Sequence, residues 1–377
     1  MQAPEPEGKV APKVGGRAAV GTLGWDVGGA NLKTVALDRD GKVIEARELP
    51  TPLWRGLDTL ERAIPQVLAG CNTDTCHALT MTGELADCFA DRAEGVRELV
   101  LLVSERLPQD SLRLYTGTRG FVPAGECAGL EKDIASANWH ATATLTADRL
   151  KDGVLVDIGS TTTDVVEFTD QRVVPAGYTD GERLARGSLV YTGAVRTPVC
   201  AVAERAPFKG NWHTLAAELF ATMADVYRLS GELPAQADLH DTADGRGKSE
   251  AESASRLARM IGYDAEPGHV DPWRQLARYL ARKQRERIAD ALALLVSGDG
   301  RASGQAKTDQ DAGRASGRPL VGAGAGRFIA RRLASELGHR YVDISEVFEV
   351  GDDVSQAVST CAPAAAVALL ARHGDRA

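Results

Sequence analysis

The apolar positions gather into three blocks with one grammar, a short apolar run that ends in glycines and small polar residues. The first is Gly21 to Leu37, G-T-L-G-W-D-V-G-G-A-N-L-K-T-V-A-L. An apolar run of this length bounded by turn residues reads as a strand. The block therefore predicts a strand into Asp26, a turn at Gly28-Gly29 and a return strand from Leu32 to Leu37. A turn at Asp38-Arg39-Asp40-Gly41 then predicts a third strand, Lys42 to Ala46. The second block, Gly153 to Glu167, is G-V-L-V-D-I-G-S-T-T-T-D-V-V-E and repeats the pattern around Asp157, Gly159 and Asp164. The third, Pro319 to Leu333, predicts a short strand, a loop with Gly322, Gly324 and Gly326, and then an amphipathic helix.

The intervening pattern is mostly helical. Helices are predicted over Leu57 to Leu68, Gly95 to Glu105 and Gly129 to Ala147, with strands at Ala78 to Met81 and Arg113 to Thr116. A helical stretch is expected from Thr214 to Ile261, resting on the periodicity of Ala216 to Tyr227. A further helix follows from Trp273 to Val296, and an alanine-rich one from Val354 to Arg372. Residues 297–318 carry almost nothing apolar and predict a mobile loop. Met1 to Gly16 is rich in Pro, Gly and Lys without an apolar core, which predicts a disordered tail rather than a secretory leader. The two Asp-Gly hairpins stand ~130 residues apart, a loose internal duplication.

Composition narrows the function. The 377 residues suffice for two domains with cores of their own. A net charge of -8 argues against a nucleic-acid binder, which needs a basic footprint. No apolar run is long enough to span a bilayer, so a cytoplasmic protein without a membrane partner is expected. Six cysteines are scattered, and Cys71, Cys76 and Cys88 lie near His77. Their spacing matches no common zinc motif, and reduced thiols are the expectation.

The blocks have a chemistry in common. A glycine turn after a strand leaves backbone N–H groups pointing outward as a nest for phosphate oxygens. Gly28 and Gly29 make the first such turn, with Asn31 and Lys33 on the strand that leaves it. Gly159, Ser160, Thr161 and Thr162 make the second and add hydroxyl donors. Gly322, Gly324 and Gly326 open a helix, a third anion-facing terminus. Asp26 and Asp157 stand where each strand enters its turn and are candidate Mg²⁺ ligands, usually through water. Asp164 is a second metal ligand or a turn cap. Arg196 suits a phosphate, a carboxylate or an interdomain ion pair.

In this order the three blocks resemble the phosphate-1, phosphate-2 and adenosine motifs of the actin/hexokinase/Hsp70 superfamily. D-I-G-S-T-T-T-D looks like its hydantoinase/oxoprolinase branch. The segments T-M-T-G-E-L-A-D-C-F-A-D-R-A-E-G-V (Thr80 to Val96), S-A-N-W-H-A (Ser136 to Ala141), Y-T-G-A-V-R-T-P (Tyr191 to Pro198) and A-D-G-R (Ala243 to Arg246) extend the likeness. They resemble the hydantoinase/oxoprolinase-like proteins of tetrahydromethanopterin-linked one-carbon metabolism, whose archaeal members are the (phenoxymethyl)furan-methanamine synthases of methanofuran biosynthesis.

The resemblance implies an α/β protein of the actin-like ATPase (ribonuclease H-like) fold, two βββαβα-type domains around a central cleft. The tail would occupy 1–20, the first domain 21–150, and the second 151–377 with a helical insertion at about 200–290. It implies a Mg²⁺-dependent transferase that joins a furan-methyl diphosphate to the phenol of a γ-glutamyl-tyramine or tyrosine acceptor and releases pyrophosphate. Glu84 or Asp87 is the candidate base for the phenol; for Glu84 the alternative is a helix-start carboxylate. A homodimer is compatible with it. Two other readings stay open, an ATP-dependent kinase or amidohydrolase and a non-catalytic nucleotide-binding scaffold.

Overall fold

The computed structural model describes residues 19–297 and 318–374. The expected tail and nearly all of the expected 297–318 loop lie outside the described residues. The chain divides into two units, 1–149 with 345–377, and 150–344.

The first unit opens on β1 (Val20–Val27), β2 (Asn31–Asp38) and β3 (Val43–Pro50), a meander antiparallel throughout. The turn into β3 is held by Asp38, whose Oδ1 accepts from the amides of Asp40 and Lys42. After α1 (Asp58–Leu68), β4 (Cys76–Met81) returns parallel to β1. α2 (Arg92–Ser104) leads to β5 (Leu112–Tyr115), parallel to β4, and β6 (Phe121–Pro123) closes the edge. The order is β3-β2-β1-β4-β5-β6. α1 buries Leu60, Ala63, Ile64 and Val67, one face at helical spacing. β1 is buried almost throughout, as a central strand covered on both faces must be.

The helix expected over 129–147 is two, α3 (Glu131–Ile134) and α4 (Asn138–Arg149). Ser136, between them, has φ +50°, which a right-handed helix cannot accommodate. Its hydroxyl donates to Glu84 Oε1 at 2.6 Å, which holds the break in place.

The second unit repeats the plan. β7 (Gly153–Ile158) and β8 (Thr163–Thr169) form a hairpin, with β9 (Arg172–Val174) and, after α5 (Asp180–Ala185), β10 (Leu189–Val190) beside β8. A separate hairpin, β11 (Arg205–Phe208) and β12 (Asn211–Thr214), precedes α6 (Met223–Ser230), α7 (Glu250–Arg259) and the long α8 (Asp271–Ser297). β13 (Leu320–Ala323) runs parallel to β7, α9 (Arg327–Leu337) follows, and β14 (Tyr341–Asp343) is parallel to β13. The path β10-β8-β7-β13-β14 matches the first sheet's β3-β2-β1-β4-β5 in order and in sense. A meander followed by two parallel crossover strands, present in both units, is the actin-like ATPase fold.

The helix expected from Thr214 does not start until Met223. Thr222 and Asp225 form a capping box there, and Gly231 in the left-handed region ends the helix. Residues 216–220 are irregular despite their apolar spacing.

The chain then returns to the first unit, where the sequence assigned 345–377 to the second. A short α10 (Ile344–Val347) leads to α11 (Asp352–Thr360) and α12 (Ala362–Gly374), bent by 106° where one helix was expected. α12 lies on β1, β2, β4 and α4. Its alanine face sits so close to the sheet that a Cβ on Gly24 would collide with the Ala364 carbonyl. Among the described residues no single helix is long and apolar enough to cross a membrane.

One buried histidine makes this unit sensitive to acid. Trp25 Nε1 donates to His77 Nδ1 at 3.2 Å, and burial holds His77 down at about 4. The unfolded histidine takes up a proton below about 6.5 while the folded one does not until about 4. Stability is therefore lost as pH falls through that window, by up to about 1.4 kcal/mol per pH unit at this site. Denaturant midpoints read by tryptophan fluorescence should fall between pH 6.5 and 4.5, and His77→Gln should flatten that slope. An unchanged slope in the variant would remove His77 as its source.

Candidate functional site

In the second unit three separate stretches of sequence meet at the β7–β8 turn. Gly159 N donates to Thr162 O at 2.9 Å and closes it. The loop after β10 is stitched onto its outside. Ala194 N donates to Gly159 O at 2.9 Å, and Val195 N and Arg196 N both donate to Ser160 O at 3.1 and 2.8 Å. That approach needs a glycine, because a Cβ at Gly193 would lie 2.5 Å from Thr161 N. Buried Gln284 on α8 holds the loop from behind. It donates to Thr192 Oγ1 and Gly193 O at 2.7 and 2.8 Å and accepts from Tyr227. The outcome is a half-buried row of hydroxyls, Ser160 Oγ 3.4 Å from Thr161 Oγ1, with Arg196 donating to Thr161 at 3.4 Å. Burial lowers the pKa of Arg196, but a guanidinium starts so high that it stays charged.

The third stretch is the loop from Gly322 to Gly326. Gly326 N donates to Ile158 O at 2.8 Å, the last residue of β7. Gly324 has φ +83°, and a Cβ there would lie 2.5 Å from Asp157 Oδ1. The carboxylate of Asp157 thus rests over a bare backbone at the start of α9. Gly322 differs from the expectation of phosphate contact: a Cβ there would lie 2.5 Å from the Tyr341 hydroxyl, so its bareness accommodates that ring.

Asp164 stands opposite Asp157 in the β7–β8 register, yet it is not placed as a metal ligand. Its Oδ1 lies 2.8 Å from the guanidinium of Arg183, and both groups are buried. Burial raises its pKa, Arg183 opposes that, and Asp180 adds to it. A carboxylate spent on an internal guanidinium has little left for a cation.

The first unit builds its turn the same way. Gly28 N donates to Asn31 O at 3.0 Å, and the segment 51–53 is stitched on by Thr51 N to Ala30 O and Leu53 N to Gly29 O, both 2.9 Å. A Cβ at Gly29 would meet nothing within 4 Å, so its face is open. Asp26 is buried at the end of β1 beside Thr80 of β4. Asn31 and Lys33, expected at a phosphate, instead face Glu48. Asn31 Nδ2 donates to Glu48 Oε1 at 2.9 Å, and Lys33 Nζ lies 4.0 Å from it. The reason is register: Asp26, Lys33 and Glu48 are paired across β1, β2 and β3, and Asn31 shares the face two residues away. Burial raises the Glu48 pKa, Lys33 lowers it and Asp26 raises it again. Glu48 was not among the residues read from the sequence, although the cross-strand pairing of the hairpin points to it.

The two candidate bases are in different settings. Glu84 is 1% exposed and accepts the Ser136 hydroxyl, a bracing contact that the sequence reading did not include. Asp87 is exposed in the bend that follows. The six cysteines are free thiols. Among the described residues no three or more His, Cys, Asp or Glu side chains are grouped to hold a metal.

Two units of this plan, each with a carboxylate at a glycine turn, define the actin-like ATPase class of fold. The profile described as Hydantoinase/oxoprolinase matches residues 75–371, and the chain belongs to that family. The chain is 34% identical to the (4-{4-[2-(gamma-L-glutamylamino)ethyl]phenoxymethyl}furan-2-yl)methanamine synthase of Methanocaldococcus jannaschii over 270 residues, 71% of this chain and 79% of that one. It is 31% identical to the synthase of the same name from Methanococcus vannielii over 30% of this chain and 51% of that one. Among solved structures, the nucleotide-free acetone carboxylase superposes with a TM-score of 0.51 at 11% identity, covering 85% of this chain and 68% of that one, a likeness of fold.

Proposed function

We propose that this protein is a transferase that makes the phenoxymethyl ether named in its relatives, joining a furan-methyl diphosphate to the phenol of a γ-glutamyl acceptor. The observation that carries the reading is the 34% identity over most of the Methanocaldococcus synthase. The balance is simple. The phenol oxygen forms a bond to the furan methylene carbon, the bond from that carbon to the diphosphate oxygen breaks, and the phenolic proton is lost as pyrophosphate leaves.

The second-unit turn suits the leaving group. Ser160, Thr161 and Arg196 offer donors beside one another, and α9 starts at the same end of the sheet. Asp157 and Asp26 are hard oxygen donors next to glycine turns. Mg²⁺ is commonly held by one or two carboxylates together with substrate phosphates and water, so either carboxylate, within its own unit, is a donor that fits it. When bound, the ion would neutralise charge gathering on the departing diphosphate. The furan ring stabilises positive charge on its methylene carbon, so departure can lead attack and the chain's task is chiefly to hold both partners in line.

The full-length protein with Mg²⁺, the furan-methyl diphosphate and γ-glutamyl-tyramine should yield the ether by mass spectrometry, with one pyrophosphate released per ether. ATP consumption with no ether formed would overturn the reading in favour of an ATP-dependent kinase or amidohydrolase.

A further inference from the structure

The apolar stripe of α8 carries one amide in its middle. Leu280, Ala281, Ile288 and Ala291 are buried at helical spacing, and Gln284 stands among them with no exposure. A leucine there would need no partner, whereas a buried amide must replace the water it gives up. Gln284 replaces it at the site. Both amide hydrogens go to the loop after β10, to Thr192 Oγ1 and the Gly193 carbonyl, and the amide oxygen accepts the Tyr227 hydroxyl at 2.6 Å. The carbonyl of Gly193 can only accept, so the nitrogen must face the loop and the oxygen must face Tyr227. Burial pushes the Tyr227 phenol far up, so its hydroxyl stays a donor.

Each end of this relay rests on a glycine element of the site. At one end Gly193 packs on the backbone of Ser160 and Thr161, and the amides of Val195 and Arg196 close on Ser160 O. At the other the Tyr227 ring meets Phe328 edge-on, with centroids 4.9 Å apart and planes at 85°. Phe328 is the second residue of α9, which Gly326 caps. The two ends also approach each other directly, since a Cβ on Gly326 would lie 2.9 Å from that of Ala194. Two fully buried side chains from α6 and α8 thus brace the β7–β8 turn against the start of α9.

We propose that Tyr227 and Gln284 are positioning residues of the diphosphate site, setting where the Ser160 and Thr161 hydroxyls and Arg196 stand relative to the start of α9. The inference rests on the synthase reading for the identity of the ligand. Slackening the relay moves donors that must converge on one diphosphate, and leaves the acceptor's own contacts alone.

The test uses Gln284→Met in the full-length protein, which keeps the length of the side chain and removes its amide. KM for the furan-methyl diphosphate should rise about ten- to a hundredfold, and KM for γ-glutamyl-tyramine should stay as it was. The dissociation constant of magnesium pyrophosphate, read by calorimetry, should rise by the same factor. The double variant Tyr227→Phe with Gln284→Met separates positioning from mere stability. Removing the hydroxyl that Gln284→Met leaves unpaired should lift the melting temperature above that of the single variant, while pyrophosphate binding stays weak. An equal rise of both KM values, unchanged values in a folded variant, or binding that recovers together with the melting temperature overturns the proposal. Should Gln284→Met not fold, Tyr227→Phe, which keeps the ring against Phe328, should weaken pyrophosphate binding by about threefold or more, and unaltered binding there overturns it. Calorimetry needs no turnover, so it holds failure of the synthase reading apart. If no ether forms in any assay, pyrophosphate binding that weakens about tenfold or more in Gln284→Met still supports the positioning role, and no binding to the wild type overturns it.

Discussion

Asp157→Asn is expected to reduce ether formation by about three orders of magnitude while leaving the fold intact. The substitution keeps the shape of a side chain that is 7% exposed, so little packing changes. What changes is charge. Asn is a weak ligand for a hard divalent cation and cannot balance it. The carboxylate rests over Gly324, whose missing Cβ leaves it room: a Cβ there would come within 2.5 Å of Oδ1. Asp26→Asn should act in the same direction through the first turn. Pyrophosphate release across a Mg²⁺ titration would check this: the variant should need more metal and reach a far lower plateau. A variant keeping a tenth or more of wild-type turnover would remove Asp157 as a proposed metal ligand.

Arg183→Met is expected to cost about 3–5 kcal/mol of stability. Removing the guanidinium leaves Asp164 buried without its counter-charge, which costs more than the pair itself contributes. The double variant Arg183→Met with Asp164→Asn should regain much of the loss, since no isolated charge then remains. The sign with pH follows from the direction of the Asp164 shift. Its folded pKa already lies above the ordinary carboxylate value, and losing Arg183 raises it further. A folded state that holds its proton more tightly than the unfolded one gains stability as pH falls. The deficit of Arg183→Met should therefore be largest near neutrality and shrink in acid, which denaturation curves at several pH values would show. A deficit independent of pH would mean that lost packing, not charge, is the cause. Asp164 should also be neutral towards Mg²⁺: the double variant, once folded, should keep the wild-type metal dependence.

How much of this was legible in the sequence differs from element to element. The paired hairpins around Asp26 and Asp157 could be read because a strand, a glycine turn and a return strand are specified by neighbours in sequence. Glycine permits the turn, and apolar β-branched residues suit the covered strands. The same local logic gave β13, its glycine loop and α9. Elements whose ends depend on distant partners could not be read. Ser136 breaks α3 from α4 with its hydroxyl on Glu84, 52 residues earlier. The apolar spacing of 216–220 imitates a helix, but the capping box at Thr222 sets the start of α6. The C-terminal helices return to the first unit because the alanine face of α12 meets a sheet that Gly24 leaves bare.

The site divides along the same line. Residue types and spacing by themselves determined where the glycine turns fall and which carboxylates stand at the strand ends. Tertiary structure alone decided that Asp164 belongs to Arg183, that Asn31 and Lys33 face Glu48, and that Arg196 reaches Thr161. A charged side chain is committed by the partner that shares its burial, and that partner comes from another strand or helix. A turn, by contrast, is formed by its own backbone, and so its own residues announce it.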